Sequence, residues 1–179
     1  MEIAQFQGTS LIPSRAIRFL TRSDYSHSSF LFDAGACSAA SGMVKRGVDL
    51  GKIKNIAVGS TVEAWQPTVQ NAPSVSALHT KGTKIDIFKF VQPLTVLEEE
   101  KLLLTLEPEI GWPYDWKNVI KFVTKRQGSP DGAYFCSELV YAMTRAIGRE
   151  LLARTNPWEC PPDWIHRSPL LTYDRTIRA

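Results

Sequence analysis

Three thiols and three imidazoles hold most of the reactive chemistry in this chain: Cys37, Cys136 and Cys160, with His27, His79 and His166. A cysteine attacks as its thiolate, and an imidazole within hydrogen-bond reach is the usual group that generates one near neutral pH. Cys136 has the richest local context. It stands in Tyr134-Phe-Cys-Ser-Glu-Leu-Val140, after a loop containing Asp131-Gly132 and before a helical pattern. Unpaired N–H groups and the dipole at a helix N-terminus favour a thiolate, and the same N–H groups can hold an oxyanion. The competing reading is a buried helical cysteine that only packs.

His27 lies in Tyr25-Ser-His-Ser-Ser-Phe-Leu-Phe-Asp33, a strand pattern whose period of two puts Tyr25, His27 and Ser29 on one face. A strand packed against the Cys136 helix would let His27 serve as general base; the plain alternative is a half-buried structural histidine. Glu63 sits between Val62 and Ala64 on a second strand candidate, Thr61 to Trp65. An acid in an apolar strand calls for a partner, and an imidazole N–H suits it. Asp33 and Asp86 are rivals for that role, and Glu63 on the solvent face is the plain alternative. His79, in a polar loop, and His166, in a Pro-rich tail, lack any pattern suggesting catalysis. The isolated histidines show no metal-ligand spacing, so no metal and no cofactor is expected. The phosphate-loop, dinucleotide and GxSxG signatures are absent. Three distant cysteines without a CxxC argue against a disulfide framework.

The elements that must position these groups read as α+β. Residues 2–7 suggest a short edge strand. Ser14 caps a short helix carrying Ile17 and Leu20. Residues 34–60, rich in Gly, Ser and Ala with a basic middle, read as a long loop or weak hairpin. Residues 66–82 form a polar excursion. Thr83 to Phe90 alternates as a strand, with Ile85 and Ile87, and with them Phe88 and Phe90, expected to face the core. Helices are expected over Leu97–Leu106, Asp115–Lys125 and Phe135–Gly148, and Gly111-Trp-Pro-Tyr-Asp115 makes a rigid aromatic turn before the Cys136 helix. The tail from Asn156 reads as packed coil.

At 179 residues, with 44% hydrophobic and 22% charged side chains, the chain suits one domain with a sizeable core and excludes disorder and fibrous repeats. A net charge of +3 without a basic block gives no expectation of a nucleic-acid partner. No stretch approaches the roughly 18–20 apolar residues of a membrane span. The first residues lack a signal-peptide pattern, so the expected location is cytoplasmic, or unknown if an export signal has been removed.

Taken in order, the segments Ser14 to His27, Val62-Glu63-Ala64, Gly111-Trp-Pro-Tyr114-Asp115, Tyr134-Phe-Cys136-Ser137-Glu138-Leu-Val and Cys160-Pro-Pro-Asp-Trp-Ile-His-Arg-Ser-Pro-Leu-Leu resemble the permuted papain-like branch of the NlpC-type cysteine peptidase superfamily, in particular its YiiX-like group. The order, His before Cys, is the more specific signal, because unpermuted relatives run Cys then His. The resemblance implies a papain-like α+β fold, with a small antiparallel sheet or half-barrel packed against the nucleophile helix. It implies Cys136 as nucleophile, His27 as base and Glu63 as the residue orienting the imidazole. Tyr114, Ser137 and Tyr25 are the matching candidates for substrate binding. The implied activity is thiol hydrolysis of an amide, often in cell-wall peptides, and related permuted members are acyltransferases or lipid hydrolases. The expected partner is therefore a peptide or an acylated small molecule. A non-enzymatic binding module on the same scaffold is the third reading, and it expects Cys136 and His27 to lie too far apart to interact. The chain departs from the group's pattern in lacking the Gly-Asp turn near the N-terminus, in carrying Ser-Ser after His27, and in the long 34–60 stretch, read as an insert beside the site.

Overall fold

In a computed structural model, residues 1–8, 23–123 and 133–179 are described. The helix expected after Ser14 and the loop before Tyr134 lie outside them. Strands are β1 (Glu2–Gln7), β2 (His27–Leu31), β3 (Thr61–Trp65), β4 (Thr68–Ala72), β5 (Lys84–Phe90) and β6 (Leu171–Arg178). Helices are α1 (Ala34–Lys45), α2 (Val96–Leu106), α3 (Trp116–Val123), α4 (Cys136–Ala146) and the short α5 (Pro162–Ile165). The strands form one antiparallel sheet in the order β4-β3-β2-β1-β5-β6. The class is α+β, an open sheet with helices.

Alternation sorts the strand residues onto two faces. Ile3, Phe30, Val62, Ala64, Phe88 and Phe90 join Leu102, Leu103, Leu106, Leu139 and Val140 in the main core. Ala4, Phe6, Leu31, Ile85 and Ile87 form a smaller cluster on the other face, where Val75 packs. Along β5, Ile85 and Ile87 face the smaller cluster and Phe88 and Phe90 the main core by plain alternation, and the pairing with β6 is irregular between Ile87 and Phe88. Helix α2 begins with a capping box: Thr95 Oγ1 accepts from Glu98 N–H at 3.2 Å and Glu98 Oε2 accepts from Thr95 N–H at 2.8 Å.

Four expectations are corrected. Residues 34–45 are a helix, not a loop or hairpin. Ala36, Ala39, Ala40 and Met43 recur at helical spacing and are buried against the core, and Asp33 caps the first turn by accepting from Ala36 N–H at 2.9 Å. Gly and Ser lower helix propensity, but small side chains let α1 pack closely on α2. The first strand is central rather than at an edge, since β1 pairs with both β2 and β5. The tail is not all coil: after four prolines, β6 adds itself to β5 as an edge strand with mostly exposed side chains. The polar excursion also contains a strand, β4.

Among the described residues, no helix is long and apolar enough to cross a membrane.

Candidate active site

His27 opens β2, directly opposite Phe6 of β1, and so points to the face carrying the smaller cluster. The β2–β3 ladder joins Phe30 to Val62 and Leu31 to Thr61, and the period of two then puts Glu63 and Trp65 on the same face as His27. Toward His27, beyond that short ladder, side chains bridge the two strands. His27 Nε2 meets Glu63 Oε2 at 2.6 Å, with the two residues 4% and 0% exposed. Thr61 Oγ1 donates to Glu63 Oε1 at 2.7 Å.

A third group, absent from the sequence expectations, completes this cluster. His79, from the connection between β4 and β5, places its Nε2 3.0 Å from the same Glu63 Oε2. Its ring stacks on Phe6, with centroids 3.9 Å apart and planes 22° apart. Trp65 stands edge-on to both imidazoles at 4.8 Å. His79 had no detectable local signal, because its partners come from β1 and β3. Its isolation in sequence supported the expectation of no metal-ligand group. In space, His27, Glu63 and His79 bring three donor atoms within 4.8 Å of one another, and these are the described residues that could hold a metal ion.

Burial raises the free energy of any charge here, so the partners decide who carries it. Burial pushes Glu63 upward, but the two imidazoles outweigh it and hold the carboxyl down at about 2. Burial is the largest influence on His27 and lowers it below its ordinary 6.5, against the pull of Glu63. Near neutral pH this gives an ionised carboxylate beside an uncharged His27.

Cys136 is the first residue of α4, and its side chain is buried. The Gly-Trp-Pro-Tyr turn positions this helix start. Gly111, at φ +96°, takes a backbone conformation that suits glycine, and the turn pairs with Val69 of β4 through bonds of 2.8 and 2.9 Å. Tyr134 N–H then reaches Pro113 O, and Asp115 N–H reaches Tyr134 O at 3.0 Å. Helix α4 packs on β2 and β3. Burial pushes the Cys136 thiol up to about 12, while backbone hydrogen bonding from Ser28, Ser137 and Cys136 itself pulls the other way. The sulfur therefore lies beside the backbone of the residue next to His27, at a helix N-terminus. Among the described residues, no hydrogen bond links the Cys136 sulfur to a His27 ring nitrogen.

The remaining candidates are placed as follows. Burial, then the nearby Cys136, raises the Tyr114 phenol well above its ordinary 10, so it stays a hydroxyl beside the thiol. The Ser137 hydroxyl donates to Cys160 O at 2.7 Å, tying the tail to α4, and is committed to that bond. Tyr25 precedes β2 and does not share the His27 face. It lies in the main core, its hydroxyl donating to Asp86 Oδ2 at 2.9 Å. Of the rival acids, Asp86 is thus taken by Tyr25 and Thr176, and Asp33 by the cap of α1. Cys160 is buried, and burial raises its thiol too. Cys37 is partly exposed.

No protein-family model and no curated protein matches the sequence. Among solved structures, the chain is similar to the crystal structure of metalloprotein yiiX from Escherichia coli O157:H7. The likeness covers 97% of this chain and 94% of that one, with a TM-score of 0.61 and 20% identity. The fold is YiiX-like. At this identity the likeness concerns the fold alone, an open antiparallel six-stranded sheet with helices.

Proposed function

We propose that the chain is a thiol hydrolase acting on an amide, with Cys136 as nucleophile, His27 as general base and Glu63 as the residue that orients and stabilises the imidazole, on a permuted papain-like scaffold. The observation carrying this reading is the ionised, fully buried Glu63 holding His27 by Nε2; the reading requires the His27 ring and the Cys136 helix, which stand on opposite faces of the sheet, to meet at the start of β2, where the sulfur lies beside the Ser28 backbone.

With Nε2 turned to Glu63, Nδ1 is the ring atom that accepts a proton. In the resting protein both members are uncharged, thiol and imidazole. The Sγ proton passes to Nδ1 as sulfur attacks the carbonyl carbon, and the C=O pair moves onto oxygen. N–H groups at the first turn of α4 and the Tyr114 hydroxyl are suited to receive that oxyanion. The imidazolium formed is paired with the Glu63 carboxylate, the interaction that is stronger in the transition state than at rest. His27 then gives its proton to the leaving nitrogen, the C–N bond breaks, and a thioester on Cys136 remains. Water, losing a proton to His27, cleaves the thioester and restores the thiol.

Mixing the protein with p-nitrophenyl acetate and quenching in acid is expected to leave an acetyl group on the peptide containing Cys136, detected by mass, and none on that peptide in His27→Ala. Acetylation confined to Cys37 or to surface lysines would reject the reading. The missing hydrogen bond between Cys136 and His27, with the His27 ring and α4 on opposite faces of the sheet, favours a second reading, a binding module on this scaffold, and that reading expects the second result.

A further inference from the structure

We propose that His27, Glu63 and His79 form a binding site for a zinc-class divalent ion, and that the bound ion switches off the thiol. The first half stands on the geometry of the cluster alone. The second rests on the thiol reading above.

Both imidazoles aim Nε2 at one carboxylate oxygen, at 2.6 and 3.0 Å, and the three donor atoms lie within 4.8 Å of one another. Ligand atoms around a tetrahedral zinc ion lie about 3.3 Å apart, so small side-chain shifts admit the ion in place of the two shared protons. Two nitrogens and one carboxylate oxygen match zinc-class ions, whereas calcium and magnesium want mostly oxygen. The ion would also neutralise a carboxylate that is 0% exposed. Supporting contacts already fix the ligands. Thr61 holds the other Glu63 oxygen, Phe6 stacks on His79, and Trp65 walls both rings. Three protein ligands leave a fourth position open.

The consequence for the thiol follows from the tautomer. At present Nε2–H of His27 donates to Glu63 and Nδ1 carries the lone pair. An ion on Nε2 needs the lone pair there, so the ring's single proton moves through solvent to Nδ1. No proton is gained or lost, but Nδ1–H can no longer accept the proton of Cys136. The ion and the reaction compete for one histidine.

The probe is Zn²⁺ itself, added to the chelator-stripped full chain. After desalting, elemental analysis should find one equivalent, and Co²⁺ should give visible bands of a four- or five-coordinate nitrogen–oxygen site. His79→Ala and Glu63→Gln should each weaken binding by at least about tenfold, while Cys136→Ala should bind as the wild type does. Thermal melting of each variant separates loss of a ligand from loss of fold, and His79→Gln replaces His79→Ala if the latter does not fold. Equal binding by wild type, His79→Ala and Glu63→Gln would overturn the site, as would lost binding in Cys136→Ala. Zn²⁺ should also slow iodoacetamide alkylation of Cys136 in the wild type. Stoichiometric binding with unchanged alkylation would overturn the switch. If alkylation does not depend on His27, the thiol reading fails, while His79-dependent binding still supports the ion site.

Discussion

Cys136→Ala is expected to reduce hydrolysis by about 10⁴-fold or more, on whichever amide the wild type turns over from a panel of peptides and cell-wall peptides. The thioester cannot form without sulfur, and nothing else at the start of α4 can replace it: the Ser137 hydroxyl is committed to Cys160 O. The fold should survive. The change removes one sulfur atom from a buried site, at a cost on the order of 1–2 kcal/mol, visible as a modest drop in melting temperature. Steady-state kinetics with circular dichroism on the same samples separates the two effects. A folded Cys136→Ala protein with more than a tenth of wild-type activity would remove Cys136 from the reaction.

Glu63→Gln is expected to have the next largest effect, a fall in kcat of about 10²–10⁴-fold with a smaller change in KM. Glutamine has the same shape. Its carbonyl oxygen can accept from His27 and His79 and its amide can donate to Thr61, so the cluster remains hydrogen-bonded. The negative charge is lost, and with it the stabilisation of the imidazolium that forms during attack. The same substitution tests the electrostatics of folding. Glu63 titrates at about 2 in the folded protein against an ordinary 4.5. A carboxyl depressed on folding contributes stability that is fully present above its ordinary value and is lost as pH falls through the folded one. Denaturant unfolding of the wild type should therefore weaken more steeply than that of Glu63→Gln between pH 4.5 and 2. Parallel stability curves, or an unchanged kcat, would show that the charge of Glu63 is idle.

The readable parts of the molecule were those where local pattern and tertiary role agree. The alternation along 83–90, the acids at the start of α2 and the helix after Cys136 each specify their element without help from elsewhere. The pairing of His27 with Glu63 was legible for a related reason: an acid between Val62 and Ala64 has to find a partner, and the neighbouring strand offered an imidazole. The rest depends on placement. Whether β1 is central or at an edge is a property of the sheet, not of residues 2–7. In α1 the stripe Ala36, Ala39, Ala40, Met43 was present, but its glycines and serines outweighed it; only packing on α2 makes that segment a helix. β6 has one sheet neighbour and mostly exposed side chains, so it carries little hydrophobic signal. His79 reaches Glu63 and Phe6 across three strands, which no spacing along the chain announces. Tyr25 was misplaced because the strand begins at His27, two residues later than its composition suggested.

The pairing of Cys136 with His27 is tested most directly by the pH dependence of alkylation at Cys136. The thiolate–imidazolium form carries the same number of protons as the resting thiol–imidazole form, so its population does not vary with pH between the two macroscopic pKa values of the pair. Where that form supplies the reactive sulfur, the wild-type rate constant with iodoacetamide, followed by mass spectrometry of the Cys136 peptide, should vary much less than tenfold per pH unit from pH 7 to 9. In His27→Ala the reactive thiolate forms only by ordinary ionisation, and the rate should be lower at pH 7 and rise about tenfold per pH unit. Identical pH profiles in the two proteins would contradict the pairing.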